Sequence, residues 1–519
     1  MSGAGLITSR PRPGGLPVLS RPGTGREPRH DGRRIGLAGL VCLGTAALSL
    51  LLPATTPTYD PWAWLIWGRE VAALELNTRF GPSWKPLPVL FTTPFSLFGD
   101  AAPALWLVVA RAGALLGLVA AFGLARRLGG PLAGALAVVM LALSGGYLRG
   151  SALGYSEGLL VALVLLAVER HLVGRRGQAL ALGFAAGLLR PETWPFLGLY
   201  ALYVFVREPR LRRTAVGSMA LLPVLWLGPE LWGSGEPLRA ASRAQDPTLF
   251  SPAFAERPAL ALLAKAGATV PWPAKVGAMI AAALAALGTG RRRRRPGAGG
   301  RWLGTAVADR GSARTTLALV AGGAAWFGLV ALMTELGYAG NSRYLAVPVA
   351  LAGVVGGIGL GWLGRALAAV LDRRGVGARP GWAAVLGAAA LIAMASAAFL
   401  PGPLSVLVGD FREARAEAAL HADLPAAIAR AGGRERVLAC GKPVATALEV
   451  PVVAWHLGIP TGRVDVVPRA PGVLFRGPPQ LQPPDAPAPA LTAGGFRPVA
   501  QVGRWDVSAA CPPGASARR

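Results

Sequence analysis

Residues 59–70 read Tyr59-Asp60-Pro61-Trp62-Ala63-Trp64-Leu65-Ile66-Trp67-Gly68-Arg69-Glu70, and they follow the first long apolar segment, about Ile35 to Leu52. Trp64, Trp67 and Val71 recur at helical spacing, which predicts an amphipathic helix lying on a membrane surface. Asp60 immediately precedes that repeat. It is interpreted either as the N-cap of the helix or as a general base held at the lipid–water boundary.

Composition places the chain in a membrane. It has 519 residues, of which 53% are hydrophobic and only 15% are charged, and its mean hydropathy is +0.46. A soluble chain of this length carries far more charge, and several apolar segments here approach spanning length. The net charge of +27 lies in short loops beside apolar segments, as the positive-inside rule predicts. Nucleic acid is therefore excluded as a partner, and the bilayer is expected.

The positions of the basic loops orient the segments. We expect an α-helical polytopic protein of the cell membrane with about 11 transmembrane helices. It comprises a disordered basic cytoplasmic tail (1–34), a transmembrane domain (35–400) and a small exported α/β domain with a disordered tail (401–519). With the tail inside, the conspicuous basic clusters share one side: Arg126-Arg127, Arg175-Arg176, Arg207 to Arg213, Arg291 to Arg295 and Arg365 to Arg379. This requires Pro86–Phe98 to be interfacial or re-entrant rather than a full crossing.

After Phe399 the pattern changes to that of a small soluble domain. The predicted elements are a helix over Asp410–Arg430, short strands at Arg436–Cys440 and Val464–Val467, and a hairpin of Pro498–Val502 with Trp505–Ser508. A proline-rich linker is expected near Pro478 to Pro489. Cys440 and Cys511 both lie in this region, which is placed outside, so the compartment permits a disulfide between them.

Isolated acids stand at helix ends that this topology places outside. Glu157 begins one crossing and is either a favourable charge at a helix N-terminus or a second acidic site. Its surroundings, Gly154-Tyr155-Ser156-Glu157-Gly158, match the nucleophile-elbow pattern. That pattern requires a strand before the serine, whereas an apolar helix precedes it here. A serine hydrolase is therefore disfavoured.

Two arginines lie at positions that this topology places outside, whereas the other basic clusters lie inside. Arg190 and Arg343 lie at outer helix ends, where a guanidinium group can simply reach the interface or can bind a lipid phosphate bidentately. Arg190 also stands two positions before Glu192, with which it can form a local ion pair. The phosphate interpretation gives these two arginines a partner of opposite charge.

Together these features resemble the GT-C superfamily of integral membrane glycosyltransferases, which use polyprenyl-phosphate-linked sugars. The resemblance covers about Ile35 to Phe399 and rests on an exported C-terminal domain and these residues: Asp60, Trp62, Trp64, Gly68-Arg69-Glu70, Glu157, Arg190-Pro191-Glu192 and Arg343-Tyr344. It implies a mannosyl- or arabinosyltransferase-like enzyme that moves a hexose or pentose to an envelope glycan, lipid or protein on the outer face. A single displacement would invert the anomeric centre.

The resemblance also assigns roles to residues. Asp60 would be the catalytic base, Glu157 the second acidic position, and Arg190 and Arg343 the ligands of the donor phosphate. Supporting roles fall to Glu70, Glu192, Trp62, Trp64 and Tyr344, with the tryptophans stacking on sugar or lipid or anchoring in the interface. Some members bind a divalent cation, so Asp60 and Glu157 are the candidate ligands for Mg²⁺ or Mn²⁺. The second acid is often Asp in the family, which leaves metal dependence open.

Two other classes of function compete with this interpretation. A transporter or flippase for a lipid-linked sugar would be expected to carry charges near the bilayer midplane, and often an internal repeat. The charges singled out above lie at helix ends, and no repeat is visible. A membrane scaffold whose exported domain binds a partner is the second alternative, because the C-terminal region matches no known pattern.

Overall fold

The computed structural model describes residues 31–52, 56–247, 251–290, 309–373, 401–477 and 495–512. Four predicted features lie outside these residues: positions 1–30 of the basic tail, the Arg291 to Arg295 run, the proline-rich linker and the last of the expected transmembrane helices, near Trp382–Phe399. The end of the Arg365 to Arg379 cluster lies outside them as well. Helices make up most of the described chain, and a small sheet lies near its C-terminus.

Short connections join most of the helices of the transmembrane part. In chain order they are α1 (Asp31–Leu48), α2 (Tyr59–Ala72), α3 (Pro86–Phe95), α4 (Ala102–Gly129), α5 (Pro131–Ala142), α6 (Tyr147–Ala152), α7 (Glu157–Leu172), α8 (Arg176–Gly187), α9 (Trp194–Arg207), α10 (Arg212–Ser234), α11 (Arg239–Ala244), α12 (Pro258–Thr269), α13 (Trp272–Gly290), α14 (Arg310–Glu335) and α15 (Ala346–Arg373). Two 3-10 turns, Pro191–Thr193 and Ser342–Leu345, precede α9 and α15. Because α1 begins at Asp31, the last four residues of the tail predicted to be disordered are helical.

Five helical segments of the described chain are long and apolar enough to cross a membrane: Pro86–Gly129, Pro209–Ser234, Trp272–Thr289, Arg310–Glu335 and Ser342–Val370. Shorter apolar helices occur at Ile35–Leu51 and Pro131–Ala142. Helices α7, α8 and α9 have 16, 12 and 14 residues, fewer than the ~20 that a straight crossing requires. The helical membrane fold is as predicted, and the figure of about eleven crossings stays a prediction.

The segment predicted to be interfacial or re-entrant forms a short helix. α3 has ten residues, which is too few to span a bilayer. The chain then passes through the 3-10 turn Ser96–Ala101, where Gly99 has a φ of 52°, before α4 begins. That backbone conformation favours glycine and separates α3 from α4 in direction.

Glycines allow neighbouring helices to touch. A Cβ atom on Gly357 of α15 would lie 2.6 Å from the carbonyl oxygen of Ala133 on α5. A Cβ atom on Gly113 of α4 would lie 2.7 Å from the Cβ atom of Leu159 on α7. A side chain at either position would force the helices apart. The contact between α4 and α7 thereby fixes the start of α7, where Glu157 lies.

The basic segments of the described chain gather at one end of the helices. Arg365 of α15 donates a hydrogen bond to the carbonyl oxygen of Gly129 at 2.6 Å, next to Arg126 and Arg127. Arg176 at the start of α8 pairs with Glu208 at the end of α9. Glu157 lies at the other end of α7, and a helix of 16 residues is ~24 Å long. Which end faces the cytosol remains a prediction.

The C-terminal part contains helices α16 (Pro401–Arg430), α17 (Gly433–Cys440) and α18 (Val450–Leu457), and strands β1 (Lys442–Val444), β2 (Gly472–Arg476), β3 (Arg497–Val502) and β4 (Trp505–Ala510). The strand order is β1-β2-β4-β3, with β1 and β2 parallel and the other pairs antiparallel. The predicted terminal hairpin is β3 and β4, and the predicted helix lies within α16. A disulfide joins Cys440 to Cys511.

Two predicted strands of this domain are wrong. Arg436–Cys440 belongs to α17, whose buried residues Val437 and Cys440 are three positions apart, as on one face of a helix. Val464–Val467 follows a 3-10 turn and contributes only an isolated bridge between Asp465 and Val444 in the described chain. Short apolar runs do not distinguish helix from strand, because both periods fit so few residues.

Helix α2 is buried within the protein instead of presenting an apolar face to lipid. Residues Asp60 to Gly68 are all buried, and one hydrophobic core continues from Trp62 into the C-terminal domain. The ring of Trp62 packs against that of Trp455 on α18, with centroids 5.7 Å apart. The prediction that its tryptophans face lipid is wrong, because Trp62 packs on α18 while Trp64 packs on Trp106 and Trp67 on Trp84. The place of α2 at a membrane surface stays a prediction.

Candidate active site

Asp60 lies in the first turn of α2 and is held by two cations. Arg343 Nη1 donates to Asp60 Oδ2 at 2.6 Å, and Lys85 Nζ lies 3.5 Å from the same oxygen. Only 5% of Asp60 is exposed. The N-cap position belongs to Thr58, so the interpretation of Asp60 as the cap is wrong. Its carboxylate faces basic side chains from two distant parts of the chain.

A second ion pair lies at the start of α7. Arg190 Nη2 pairs with Glu157 Oε1, and Arg190 Nη1 lies 3.7 Å from Glu192 Oε1. The guanidinium carbon of Arg190 stands 4.7 Å above the ring of Tyr344. Within the described chain, Glu157 Oε2 and Glu192 Oε2 have no hydrogen-bond partner. Arg190 is therefore paired locally with Glu157 and Glu192, as one of its two interpretations predicts. Each of these acids still has one carboxylate oxygen without a hydrogen-bond partner in the described chain.

The two ion pairs belong to one cluster. Lys85 is influenced electrostatically by Asp60, Glu157 and both arginines. The sequence neighbours Arg343 and Tyr344 link the pairs, since Arg343 contacts Asp60 and Tyr344 contacts Arg190. Three carboxylates, of Asp60, Glu157 and Glu192, face three cations, of Lys85, Arg190 and Arg343, so the cluster has a formal charge of zero. The structure thus gathers Asp60, Glu157, Arg190 and Arg343 in one place.

The cluster changes the acidity of its two members that lie outside the spanning segments. Burial acts to raise the pKa of Asp60, but the positive charges of Arg343 and Lys85 outweigh it and lower that pKa to about 2. Burial lowers the pKa of Lys85 to about 8, and repulsion from Arg190 acts in the same direction. Asp60 is therefore an anion that is a weak base while these cations contact it.

Lys85 is the principal residue that the sequence analysis missed. It ends the loop before Pro86, and its ammonium group lies 4.7 Å from the centroid of the Trp64 ring. The signal was its rarity, since the chain has four lysines among 53 basic residues. A lone lysine in a loop assigned to the outer side opposes the positive-inside rule as Arg190 and Arg343 do. Tyr155 was also missed, although Arg343 stacks on its ring at 4.6 Å.

The supporting residues divide between the cluster and other places. Glu192, Tyr344 and Trp64 contact its members. Trp62, two positions after Asp60, points ~200° around the helix and packs against the C-terminal domain. Glu70 lies ~15 Å further along α2 and accepts a hydrogen bond from the backbone of Asn77 at 2.9 Å. Trp62 and Trp64 are both buried, so neither presents a face to lipid.

The donor set does not favour a divalent cation. In the part of the chain that the structure describes, no group of three or more His, Cys, Asp or Glu side chains converges as ligands would. The two carboxylates proposed as ligands, of Asp60 and Glu157, are each neutralised by an arginine instead. Oxygen ligands for Mg²⁺ or Mn²⁺ would have to be released from these ion pairs first.

Comparison with solved structures places the fold. The chain is similar to ArnT from Cupriavidus metallidurans in the apo state, with 16% identity over 94% of this chain and 99% of that one, at a TM-score of 0.52. ArnT bound to undecaprenyl phosphate gives the same identity and coverage, with a TM-score of 0.48. The archaeal oligosaccharyltransferase AglB from Archaeoglobus fulgidus, in complex with an inhibitory peptide and a dolichol-phosphate, is 14% identical over 74% of this chain and 56% of its own, with a TM-score of 0.34. No protein-family model and no curated protein sequence matches the chain.

The fold of the chain is similar to that of apo ArnT. The similarity to apo ArnT extends over 94% of this chain, so it includes both the transmembrane part and the C-terminal domain. At 16% identity a shared fold does not transfer chemistry. The activity is therefore argued from the cluster itself.

Proposed function

We propose that the protein is a membrane glycosyltransferase that moves a sugar from a polyprenyl-phosphate carrier to a glycan, lipid or protein acceptor of the cell envelope on the outer face. One observation carries this proposal: buried cations and carboxylates meet where the ends of apolar helices converge, and Arg343, whose side chain is 29% exposed, is the most open of them. A phosphate on a prenyl chain can hold its charged group at these helix ends and its apolar tail among the helices. Guanidinium and ammonium groups bind phosphate strongly.

The chemistry follows from the roles that these charges can take. Asp60 removes the proton of an acceptor hydroxyl, whose oxygen attacks the anomeric carbon of the donor sugar. The bond from that carbon to the phosphate oxygen breaks, and the polyprenyl phosphate leaves with an additional negative charge. Arg343 and Lys85 stabilise that charge, and Arg190 adds a third cation close by. One displacement of this kind inverts the anomeric centre.

Donor binding also explains how a strongly acidic Asp60 becomes a base. The cluster is neutral without a ligand, so a phosphate must compete with Asp60 for Arg343 and Lys85. When those cations turn to the phosphate, the interaction that lowers the pKa of Asp60 weakens and its carboxylate becomes more basic. The acceptor hydroxyl is thereby activated only beside a bound donor.

The test is transfer of labelled sugar by the purified protein in nanodiscs, from a panel of polyprenyl-phosphate sugars to membrane-extracted acceptors. Asp60→Asn is expected to lower kcat by about 10²–10⁴-fold, because a general base contributes that much. Donor binding should persist in this variant, since the lysine and both arginines remain.

Glu70→Gln is the matched control. It removes a buried carboxylate from the same helix, and the amide can still accept the hydrogen bond from the backbone of Asn77. Its activity should stay within about twofold of wild type, as for substitutions remote from the reacting groups. Full activity of Asp60→Asn would exclude Asp60 as the base. A wild-type protein that binds these donors but transfers none of their sugars would favour a transporter.

A further inference from the structure

The described part of the C-terminal domain contains a cavity that the proposed chemistry does not use. Its volume is about 700 Å³, and its walls come from β1, from the 3-10 turn Thr461–Arg463 and from the segment after that turn. Gly441 precedes β1 and lines the cavity next to the Cys440–Cys511 disulfide. The disulfide and the parallel pairing of β1 with β2 hold these walls together.

Three basic side chains line this cavity: Lys442, Arg463 and Arg469. All three are exposed, and within the described residues none forms an ion pair with an acidic side chain. The acidic residue of the lining is Asp465. Its Oδ1 accepts hydrogen bonds from the backbone of the next two residues, from Val466 N at 2.8 Å and from Val467 N at 3.2 Å. The cavity therefore has excess positive charge that is available to a ligand.

The remaining lining is mostly apolar. Leu438, Pro443, Val444, Ile459 and Pro471 contribute side chains without charge. A floor of this kind suits the carbon-bearing face of a sugar ring, whereas the cations require an oxyanion. The combination distinguishes this cavity from a site for a small inorganic ion, which would need little apolar surface.

The cavity also lies against the transmembrane part. A Cβ atom on Gly462 would lie 2.5 Å from the ring of Phe80, and Arg69 donates to the carbonyl oxygen of Ile459 at 3.2 Å. Arg69 stands nine positions after Asp60, so this wall is ~14 Å along α2 from the candidate base. A chain-like ligand held in the cavity could extend to the charged cluster.

We propose that this cavity binds an acidic glycan through its carboxylate or phosphate groups and holds it as the acceptor. The role as acceptor rests on the proposed transferase function, whereas the binding does not. Arginine and lysine form charge-assisted hydrogen bonds with either oxyanion. The test below uses one carboxylate probe and one phosphate probe, which distinguish the two kinds of anion.

The test is titration of the full-length protein in nanodiscs with three fluorescent oligosaccharides of equal length: a galacturonate oligomer, a glycerol-phosphate-substituted oligomer and a neutral glucose oligomer. At least one anionic probe should bind, and the neutral one should not. Replacing Lys442, Arg463 and Arg469 together with Ala should weaken binding by about tenfold or more, as loss of several charged contacts implies.

The control triple variant is Arg415→Ala, Arg436→Ala, Arg497→Ala, which removes the same charge from exposed positions of this domain outside the cavity. It should bind within about twofold of wild type if binding is local rather than through the general field of the protein. Asp465→Asn keeps the oxygen that accepts from the backbone and removes the negative charge of the lining, so it should tighten binding. Equal losses in both triple variants, or no binding of either anionic probe, would overturn the proposal.

Transfer assays separate this proposal from the proposed function. If both hold, the cavity triple variant raises KM for the acidic acceptor and leaves kcat and the donor KM unchanged. Asp60→Asn should bind the anionic probe as wild type does. Binding without any transferase activity would refute the enzyme and keep the cavity site. Transfer with an unaltered acceptor KM in the triple variant would refute the acceptor role of the cavity.

Discussion

The buried charge cluster and the cavity of the C-terminal domain use basic residues in opposite ways. In the cluster, Arg190 and Arg343 are paired with carboxylates within the chain. In the cavity, Arg463 and Arg469 are exposed and lack acidic partners in the described chain. Burial is the reason, because an unpaired charge away from water costs several kcal/mol, whereas an exposed one costs little.

This difference has consequences for ligand binding. A phosphate entering the cluster has to displace a carboxylate, so binding there changes the protonation of Asp60. An anion entering the cavity displaces only water and counterions. Coupling between binding and chemistry is therefore expected in the cluster, and simple salt-sensitive affinity is expected in the cavity.

The largest expected effect is on stability. Arg190→Ala leaves Glu157 and Glu192 buried without their cation and should lower the free energy of unfolding by about 3–5 kcal/mol. Arg463→Ala should change it by less than about 0.5 kcal/mol. The measurement is unfolding of the purified protein in SDS, followed by tryptophan fluorescence. The double variant Glu157→Gln, Arg190→Gln should recover part of the lost stability. Equal effects of Arg190→Ala and Arg463→Ala would contradict the difference between the cluster and the cavity.

Arg343→Gln should show that the cluster couples charge to catalysis. Loss of one cation on the leaving phosphate is expected to lower kcat by about 10²–10³-fold. The pKa of Asp60 should rise from about 2, because the largest charge that lowers it is gone. Asp60 would then be protonated at a higher pH in the free enzyme, so the acid limb of the pH profile of kcat/KM should move to higher pH. An unmoved acid limb would contradict the coupling; Arg415→Gln is the control.

Where the C-terminal domain meets α2, stability should depend on pH. His421 accepts a hydrogen bond from Trp62 Nε1 at 3.3 Å, and Thr56 Oγ1 lies 2.8 Å from the same ring nitrogen. Burial, with repulsion from His456, lowers the pKa of His421 to about 4. Because that pKa is ~6.5 in the unfolded chain, the unfolded state binds more protons between these values.

The stability that neutral His421 contributes is therefore complete above about pH 6.5 and is lost as the pH falls toward about 4, by roughly 2–3 kcal/mol. Hydrogen exchange of α16 and α2 at pH 4.5 and 7.5 measures it. His421→Leu should remove most of this dependence, and His171→Leu, far along α7, should leave it in place. Equal exchange at the two pH values in wild type would disprove it.

The smallest expected effect is that of salt. Raising NaCl from about 0.05 to 0.5 M should weaken binding of an acidic oligosaccharide in the cavity by a few-fold, because exposed charges are screened. The same change should shift the SDS unfolding midpoint little, since the cluster is buried and its pairs are weakly screened. Titration and unfolding on one protein preparation measure both. Salt-independent oligosaccharide binding would argue against a cationic cavity.

Much of the fold was accessible from the sequence because it depends on composition and spacing. Apolar segments predicted the membrane helices, the change after Phe399 predicted the C-terminal domain, and alternating residues predicted the hairpin of β3 and β4. The failures involve short segments such as Arg436–Cys440, where a few apolar residues fit two periods. The burial of α2 was also not predicted, because the helix that covers Trp62 lies almost 400 positions later in the chain.

The candidate site was accessible to a similar extent. Asp60, Glu157, Arg190 and Arg343 stood out because their charges oppose the bias of the segments around them, and the structure brings them together. Lys85 has the same signal and was missed because it ends a loop otherwise interpreted as a connection. Glu70 was included on adjacency alone, and the length of a helix carries it away from Asp60.

By itself the sequence determined that the chain enters a membrane, which charges are out of place there, and that its C-terminal region differs in composition from the apolar helices before it. These are properties of single residues and their near neighbours, since hydropathy and charge act locally. Only the tertiary structure decided which charge neutralises which, that Trp62 faces the C-terminal domain, and that Lys442, Arg463 and Arg469 share a cavity. Such pairings join positions far apart in the chain, and they form because a buried charge needs a partner that its own segment does not supply.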